Sequence, residues 1–124
     1  MLSVASFVGF IPARDAAASR AFYEAVLGLR VLECTPFALV LDANGTTVRV
    51  TSVGDFTTQP FTVAGWQVPD IAAEVSALHH KGVRFARYDE MQQDELGIWT
   101  APNGDRVAWF LDPDGNTLSV TTPA

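Results

Sequence analysis

The stretch FLDPDGNTLSV, residues 110–120, joins the end of an apolar strand, a tight turn and a second strand. Pro113 presets the backbone for the second turn position, Asp112 can accept hydrogen bonds from the backbone after it, and Gly115 suits the turn exit. In the strand that follows, the hydroxyl-bearing Thr117 and Ser119 share one face and alternate with apolar residues. This stretch therefore predicts two strands around a four-residue turn, with a polar face on the second strand.

An internal repeat at an offset of 55 residues organises the rest of the chain. The alternating segment SFVGFIPARD at 6–15 corresponds to FTVAGWQVPD at 61–70, which aligns Asp15 with Asp70. Each Asp is a good helix N-cap, and apolar residues recur at helical spacing after both. A glycine ends each predicted helix, at Gly28 and Gly82.

Strand-like segments follow each predicted helix. In the first half they are LRVLECT, FALVLD and TTVRVTS, with an Asn44-Gly45 hairpin turn between the last two. In the second half they are GVRFAR, RVAWFLD and NTLSV, with a short extra piece, GIWTA, and a polar loop, YDEMQQDEL. The sequence therefore predicts an α+β fold, a single domain over residues 1–124 made of two tandem βαβββ modules at about 1–55 and 61–124.

Composition excludes several classes of function. An apolar content of 48% with 18% charged residues is typical of a well-packed globular domain. The net charge of −6 argues against a nucleic-acid partner, and no apolar run is long enough to span a membrane. No positive charge precedes the apolar N-terminal segment, so we expect a strand there and no signal peptide. Cys34 is the only cysteine, which excludes an internal disulfide and fits the cytoplasm.

The two modules, the first-helix segment AFYEAVLGLRV and the closing FLDPDGNTLSV together resemble the vicinal oxygen chelate superfamily. That group contains glyoxalase I, bleomycin-resistance proteins and extradiol dioxygenases, and the resemblance covers nearly the whole chain. It implies curved sheets that enclose a cleft, helices on the outer face, and a homodimer that often completes the cleft. It does not imply a reaction, because this fold supports many.

The resemblance also implies four cleft-facing positions that hold a divalent metal ion in metal-using members. In this sequence they are occupied by Val8, Arg49, Val63 and Ser119. Two valines, a permanent cation and one hydroxyl lack the donors that such an ion needs. We therefore predict that the protein holds no metal and no other cofactor.

Other candidate ligating groups lie outside the strands. His79 and His80 are neighbours on the second helix, where adjacent residues do not converge on one ion, so they are interpreted as exposed helix-end residues. A second group is acidic and falls in the polar loop: Asp89, Glu90, Asp94 and Glu95. It is interpreted as a solvated, solubilising segment.

The alternation of the strands predicts a mostly apolar wall with a few polar groups, which is typical of a small-molecule site. The predicted ligand-binding residues are Val8, Phe10, Arg49, Thr51, Val63, Gln67, Trp109, Leu111, Thr117 and Ser119. Trp66 is expected on the helix side, in the core. Two interpretations of Arg49 stay open: an edge-strand surface residue, or a guanidinium in the cleft that binds carboxylate or carbonyl oxygens.

The leading hypothesis is a metal-free protein that binds a small, partly apolar organic molecule. Its most concrete version is sequestration, as in drug-binding resistance proteins, and a second version is a metal-independent enzyme. The alternative is a metal-dependent glyoxalase-like lyase or isomerase, or a dioxygenase, which requires a different strand register. A further possibility is a binding module of a larger assembly.

Overall fold

The computed structural model describes all 124 residues, which divide into two compact units, Met1–Thr57 and Thr58–Ala124. Each unit contains one four-stranded sheet with parallel and antiparallel pairs. Helical segments are few, and apart from a short turn at Leu2–Val4 they follow the first strand of each unit. The predicted α+β class with two modules is confirmed. The structure contains no helix of the length and apolar character that crossing a bilayer requires.

The sheet of the first unit has the order β1-β4-β3-β2. Its strands are β1 (Val8–Ala13), β2 (Arg30–Cys34), β3 (Ala38–Ala43) and β4 (Thr46–Ser52). Strands β1 and β4 are parallel, and the other neighbours are antiparallel. One face of this sheet is fully buried at Ile11, Leu39, Leu41 and Val50. This apolar face fixes the register, because a shift by one residue would expose it.

The helical segment of the first unit is irregular. Asp15 caps it by accepting a hydrogen bond from the Ala17 backbone N–H, as predicted. A 3₁₀ turn at Ala16–Ser19 then gives way to a π-helical turn at Ala21–Val26. The Leu27 N–H donates to the Phe22 carbonyl at 2.9 Å, five residues back, which is the π-helical pattern. A second 3₁₀ turn covers Leu2–Val4.

The sheet of the second unit has the order β5-β8-β7-β6. Its elements are β5 (Thr62–Gln67), α1 (Ile71–His80), β6 (Trp99–Thr100), β7 (Arg106–Leu111) and β8 (Thr117–Thr122). Asp70 caps α1 by accepting from the Ala73 N–H at 3.1 Å, which confirms the second predicted cap. The buried residues of α1 are Ile71, Val75 and Leu78, so this helix covers its sheet with the predicted apolar stripe.

Two expectations for the second unit are wrong. The segment GVRFAR is not a strand, since only Phe85 forms a bridge, with Phe110, and the Ala86 N–H donates to the Trp109 carbonyl at 2.7 Å. It cannot extend further because β6 pairs with the other end of β7. Trp66 is half-buried rather than fully enclosed, since β5 is an edge strand of its sheet.

The turn between β7 and β8 is organised around the side chain of Asp112, as predicted. Its Oδ1 accepts from the backbone N–H groups of Asp114 at 3.0 Å and Asn116 at 2.9 Å. Its Oδ2 accepts from Asn116 Nδ2 at 2.9 Å. Gly115 takes a φ of +92°, a conformation that favours glycine. Asp112 and Asn116 are both buried, so the turn is a packed element and not a surface loop.

Candidate functional site

Each sheet has a face opposite the one that packs against its helical segment, which we call the open face. On the first sheet the register places Arg49 between Phe10 of β1 and Val40 of β3, with Glu33 of β2 next to Val40. Phe10 is 65% exposed, whereas Arg49 is half-buried. A cation and an anion therefore lie on the same open face, two strands apart.

The other predicted positions of the first unit lie on the same face. Val8 is opposite Thr47, and Thr51 lies between Pro12 and Ala38. The Thr51 hydroxyl donates to the Arg49 carbonyl at 3.4 Å, a bond along its own strand. The structure thus brings Val8, Phe10, Arg49 and Thr51 together on the open face of the first sheet.

On the second sheet, the open face carries the hydroxyl-bearing positions of β8. Ser119 lies between Gly65 and Trp109, and Thr117 lies between Thr62 and Leu111. Gln67 is opposite Thr121 at the far end of β5. Five of the predicted residues are therefore neighbours on this face: Gln67, Trp109, Leu111, Thr117 and Ser119.

The close contact of β5 and β8 depends on Gly65. A Cβ placed on Gly65 would overlap the Ser119 hydroxyl and would come within 3.2 Å of the Ser119 carbonyl. Glycine therefore makes room for the Ser119 side chain against the backbone of β5. Ser119 is buried in consequence, with 8% of its surface exposed.

Val63 departs from the regular alternation of β5. Thr62 pairs with Thr117 and Ala64 pairs with Leu118, which leaves Val63 as the extra residue of a bulge. The residue of β5 that shares the row of Thr117 is therefore Thr62. Val63 has no partner on β8, so the structure does not bring it into a row with the other predicted residues.

A pocket of about 540 Å³ lies at the open face of the second unit. Its lining is mostly apolar and aromatic, consisting of Pro60, Phe61, Thr62, Tyr88, Glu90, Met91, Trp99, Trp109 and Thr117. Trp109 and Thr117 belong to the predicted ligand-binding set. The size and the mixture of many apolar groups with a few polar ones suit a small organic molecule.

Three aromatic rings form the corner of this pocket. The ring centroids of Trp99 and Trp109 lie 6.0 Å apart at an interplanar angle of 36°. The ring of Tyr88 meets Trp109 edge to face, with centroids 5.6 Å apart and an angle of 83°. These separations lie within the range of attractive aromatic pairs, so the rings hold one another in place.

The segment 88–96, which we call the 88–96 loop, supplies Tyr88, Glu90 and Met91 to the pocket. Gln93 links the two ends of this loop, since its Nε2 donates to the carbonyls of Ala86 and Gly97, both at 2.9 Å. Asp94 Oδ1 accepts from the backbone N–H groups of Leu96 and Ile98, so this acidic side chain shapes a turn.

Arg87 stabilises the 88–96 loop from the side away from the pocket. Its guanidinium donates to the carbonyls of Asp94 and Glu95, at 2.5 Å and 2.6 Å. It lines a separate, smaller cavity of about 310 Å³ together with His79, Arg84 and Glu95. The cations of this region therefore do not line the larger pocket.

The residues at the four expected metal positions do not fit a divalent ion. Val8 and Val63 carry no donor, Arg49 is cationic and Ser119 offers one hydroxyl. No group of three or more His, Cys, Asp and Glu side chains is placed to hold an ion. The exposed His80 contacts the Ser76 carbonyl through Nδ1 at 2.7 Å within its own helix.

One ionisable group outside both open faces is perturbed. The hydrogen bond from the Arg20 guanidinium to the Glu24 carboxylate, helped by their opposite charges, raises the pKa of Arg20. Both side chains are close to half exposed, so this pair is a local feature of the helical segment.

Comparison with known proteins identifies the class of fold. The model of the Glyoxalase/Bleomycin resistance protein/Dioxygenase superfamily matches residues 4–120, so the chain belongs to this superfamily. No protein with a curated description matches the sequence.

Solved structures of the same superfamily are similar over nearly the whole chain. A superfamily member from Sphaerobacter thermophilus DSM 20745 has 20% identity and a TM-score of 0.73, covering 98% of this chain and 99% of that one. A lactoylglutathione lyase from Agrobacterium tumefaciens has 15% identity and a TM-score of 0.72, with coverages of 96% and 93%. A protein from Alicyclobacillus acidocaldarius has 19% identity and a TM-score of 0.69, with coverages of 97% and 92%. At these identities the likeness shows the fold.

Sequence reasoning missed several pocket residues: Phe61, Thr62, Tyr88, Glu90, Met91 and Trp99. The 88–96 loop has no periodicity, so nothing in the sequence indicated which of its side chains face the sheet. Trp99 was detectable, because β6 pairs it with Val107 and places it on the open face with Trp109. Thr62 was hidden by the bulge at Val63.

Proposed function

We propose that this protein binds a small, partly aromatic organic molecule, without a metal ion, at the open face of its second unit. The observation that carries the proposal is the pocket of about 540 Å³ walled by Tyr88, Trp99 and Trp109. Flat rings stack on such walls, and Thr62 and Thr117 offer hydroxyls at the pocket edge that can orient a ligand.

The residues that line the pocket favour binding of a ligand without a chemical reaction. The pocket lining contains one carboxylate, Glu90, and no histidine or cysteine beside it. Sequestration, as in drug-binding resistance proteins, is therefore the version we favour over a metal-independent enzyme. The protein would act in the cytoplasm, where the single Cys34 stays reduced, and as a homodimer.

The indole N–H groups of the three tryptophans provide a direct test. Nuclear magnetic resonance spectra of the labelled protein would be recorded while quinoline, a neutral aromatic probe, is added. We expect the signals of Trp99 and Trp109 to shift. Trp66 is an internal control, because the register pairs it with Val120 on the other face of the sheet. Shifts confined to Trp66, or no shifts at millimolar quinoline, would contradict the proposal.

A pair of variants keeps this test independent of general destabilisation. Trp109→Leu removes the central ring of the corner and should abolish the shift of Trp99 on addition of quinoline. Trp66→Phe changes an aromatic residue of the same sheet outside the pocket and should leave that shift unchanged. Equal responses of both variants would mean that the probe binds elsewhere.

A further inference from the structure

The charge distribution of the aromatic pocket narrows the class of ligand. Glu90 is the only charged residue in its lining, and no Lys, Arg or His is present. Arg87, the nearest cation along the loop, is turned away and held by two backbone carbonyls. The pocket therefore combines one carboxylate with four aromatic side chains, which are Phe61, Tyr88, Trp99 and Trp109.

The aromatic side chains of the pocket also favour a positively charged ligand. The face of an indole or phenol ring is electron-rich and attracts a cation within about 6 Å of its centroid. Tyr88 stands at 83° to Trp109, while Trp99 is inclined by only 36°, so the corner presents rings in two directions. A cationic group in this corner can contact more than one ring, and Met91 adds a polarisable thioether.

We propose that the pocket binds an organic cation, such as an alkylated aromatic ammonium ion or a protonated amine. The aromatic corner contacts the cationic group, and Glu90 supplies the counter-charge. This inference rests on the proposed function, since it names the ligand class of the same pocket. The net charge of −6 works in the same direction, because an acidic protein raises the local concentration of cations.

Three probes of similar size and different charge test this inference: N-methylquinolinium, quinoline and naphthalene-1-sulfonate. Calorimetric titrations at neutral pH and low salt would compare their affinities for the full chain. We expect the cation to bind about tenfold more tightly than neutral quinoline, since cation–π attraction and the carboxylate add to ring stacking. The anionic sulfonate should bind least.

Glu90→Gln should remove most of the advantage of N-methylquinolinium over quinoline, measured as the ratio of their two affinities. Asp89→Asn is the matched control, because Asp89 carries the same charge on the neighbouring residue but does not line the pocket. If both variants lower the affinity for the cation equally, net charge is responsible and the role of Glu90 is overturned.

The outcomes separate this inference from the proposed function. If quinoline binds and N-methylquinolinium binds no better, the preference for a cation is overturned and the aromatic pocket still binds ligand. If none of the three probes binds at millimolar concentration, both proposals fail. Tighter binding of the sulfonate than of the cation would also overturn the inference.

Discussion

Arg49 is a half-buried cation on the open face of the first sheet. It lies between Phe10 and Val40, and no carboxylate of the chain lies within ion-pair distance of its guanidinium. Its five N–H donors suit carboxylate or carbonyl oxygens, which they bind in pairs. We therefore propose Arg49 separately, as a contact for ligand oxygens at the open face of the first sheet.

Replacing Arg49 by Ala should weaken binding of the natural ligand, recovered from cell extract, by about tenfold to a hundredfold. This corresponds to the loss of one charge-assisted hydrogen bond, about 1.5–3 kcal/mol. The fold should persist, because the apolar face of β4 is anchored by the fully buried Val50. Lys81→Ala, which removes an exposed cation at the end of α1, is the control. If calorimetry finds unchanged affinity in Arg49→Ala, Arg49 is a surface residue that does not contact the ligand.

At the scale of elements, the turn between β7 and β8 depends on one buried carboxylate. The Asp112 carboxylate accepts three hydrogen bonds within the turn, two from the buried Asn116 and one from the part-buried Asp114 N–H, and replacing it by Ala removes all three. We expect Asp112→Ala to lower the free energy of unfolding by about 2–3 kcal/mol. Asp55→Ala, at an exposed position, should change it by less than about 0.5 kcal/mol. Urea denaturation measures both, and equal stabilities would show that the turn tolerates the loss.

The elements that the sequence predicts well are those with a repeated apolar pattern or a local cap. Alternation indicated the strands of both sheets, and the caps at Asp15 and Asp70 are formed. The short strand β6 was indicated by GIWTA and pairs with β7. These features are local, so a few neighbouring residues determine them.

The features that could not be predicted depend on contacts between distant residues. The bulge at Val63 has no glycine or proline signal at that position, and it arises where Thr62 and Ala64 pair with successive residues of β8. The π-helical turn at Ala21–Val26 replaces a regular helix. The 88–96 loop is shaped by the Gln93 side chain, which donates to the carbonyls at the two ends of the loop. Side-chain hydrogen bonds of this kind leave no periodic pattern in the sequence, so they cannot be predicted from it.

For the whole molecule, we expect no stoichiometric divalent metal in the purified protein. The reason is the donor set, since the resemblance to metal-using members predicts the ion at Val8, Arg49, Val63 and Ser119, and these residues lack suitable donors. Elemental analysis after dialysis checks this expectation. About one Zn, Ni, Mn or Fe per chain would contradict it and would favour the alternative, a metal-dependent lyase, isomerase or dioxygenase.

We also expect a homodimer in solution. Large apolar side chains are exposed in both units, among them Phe7 at 76%, Phe10 at 65% and Phe61 at 60%. A second copy that covers such residues would remove apolar surface from water. Light scattering at micromolar concentration should give twice the chain mass, and Phe7→Ser with Phe10→Ser should shift the equilibrium towards monomer. A strict monomer for the unchanged chain would refute the expectation.

Hydrogen bonds within residues 86–98 hold the 88–96 loop in shape. The identity of its pocket-lining residues therefore has little influence on the folding of the sheet. Its bonds from Gln93, Arg87 and Asp94 end on backbone at positions 86–98, so the segment behaves as a self-contained insert between two fixed points. Mutations at Glu90 or Met91 are therefore expected to leave the strands beneath them undisturbed. Replacing the 88–96 loop by a segment of different sequence is therefore a way to change the ligand that the pocket binds, in evolution or by protein engineering.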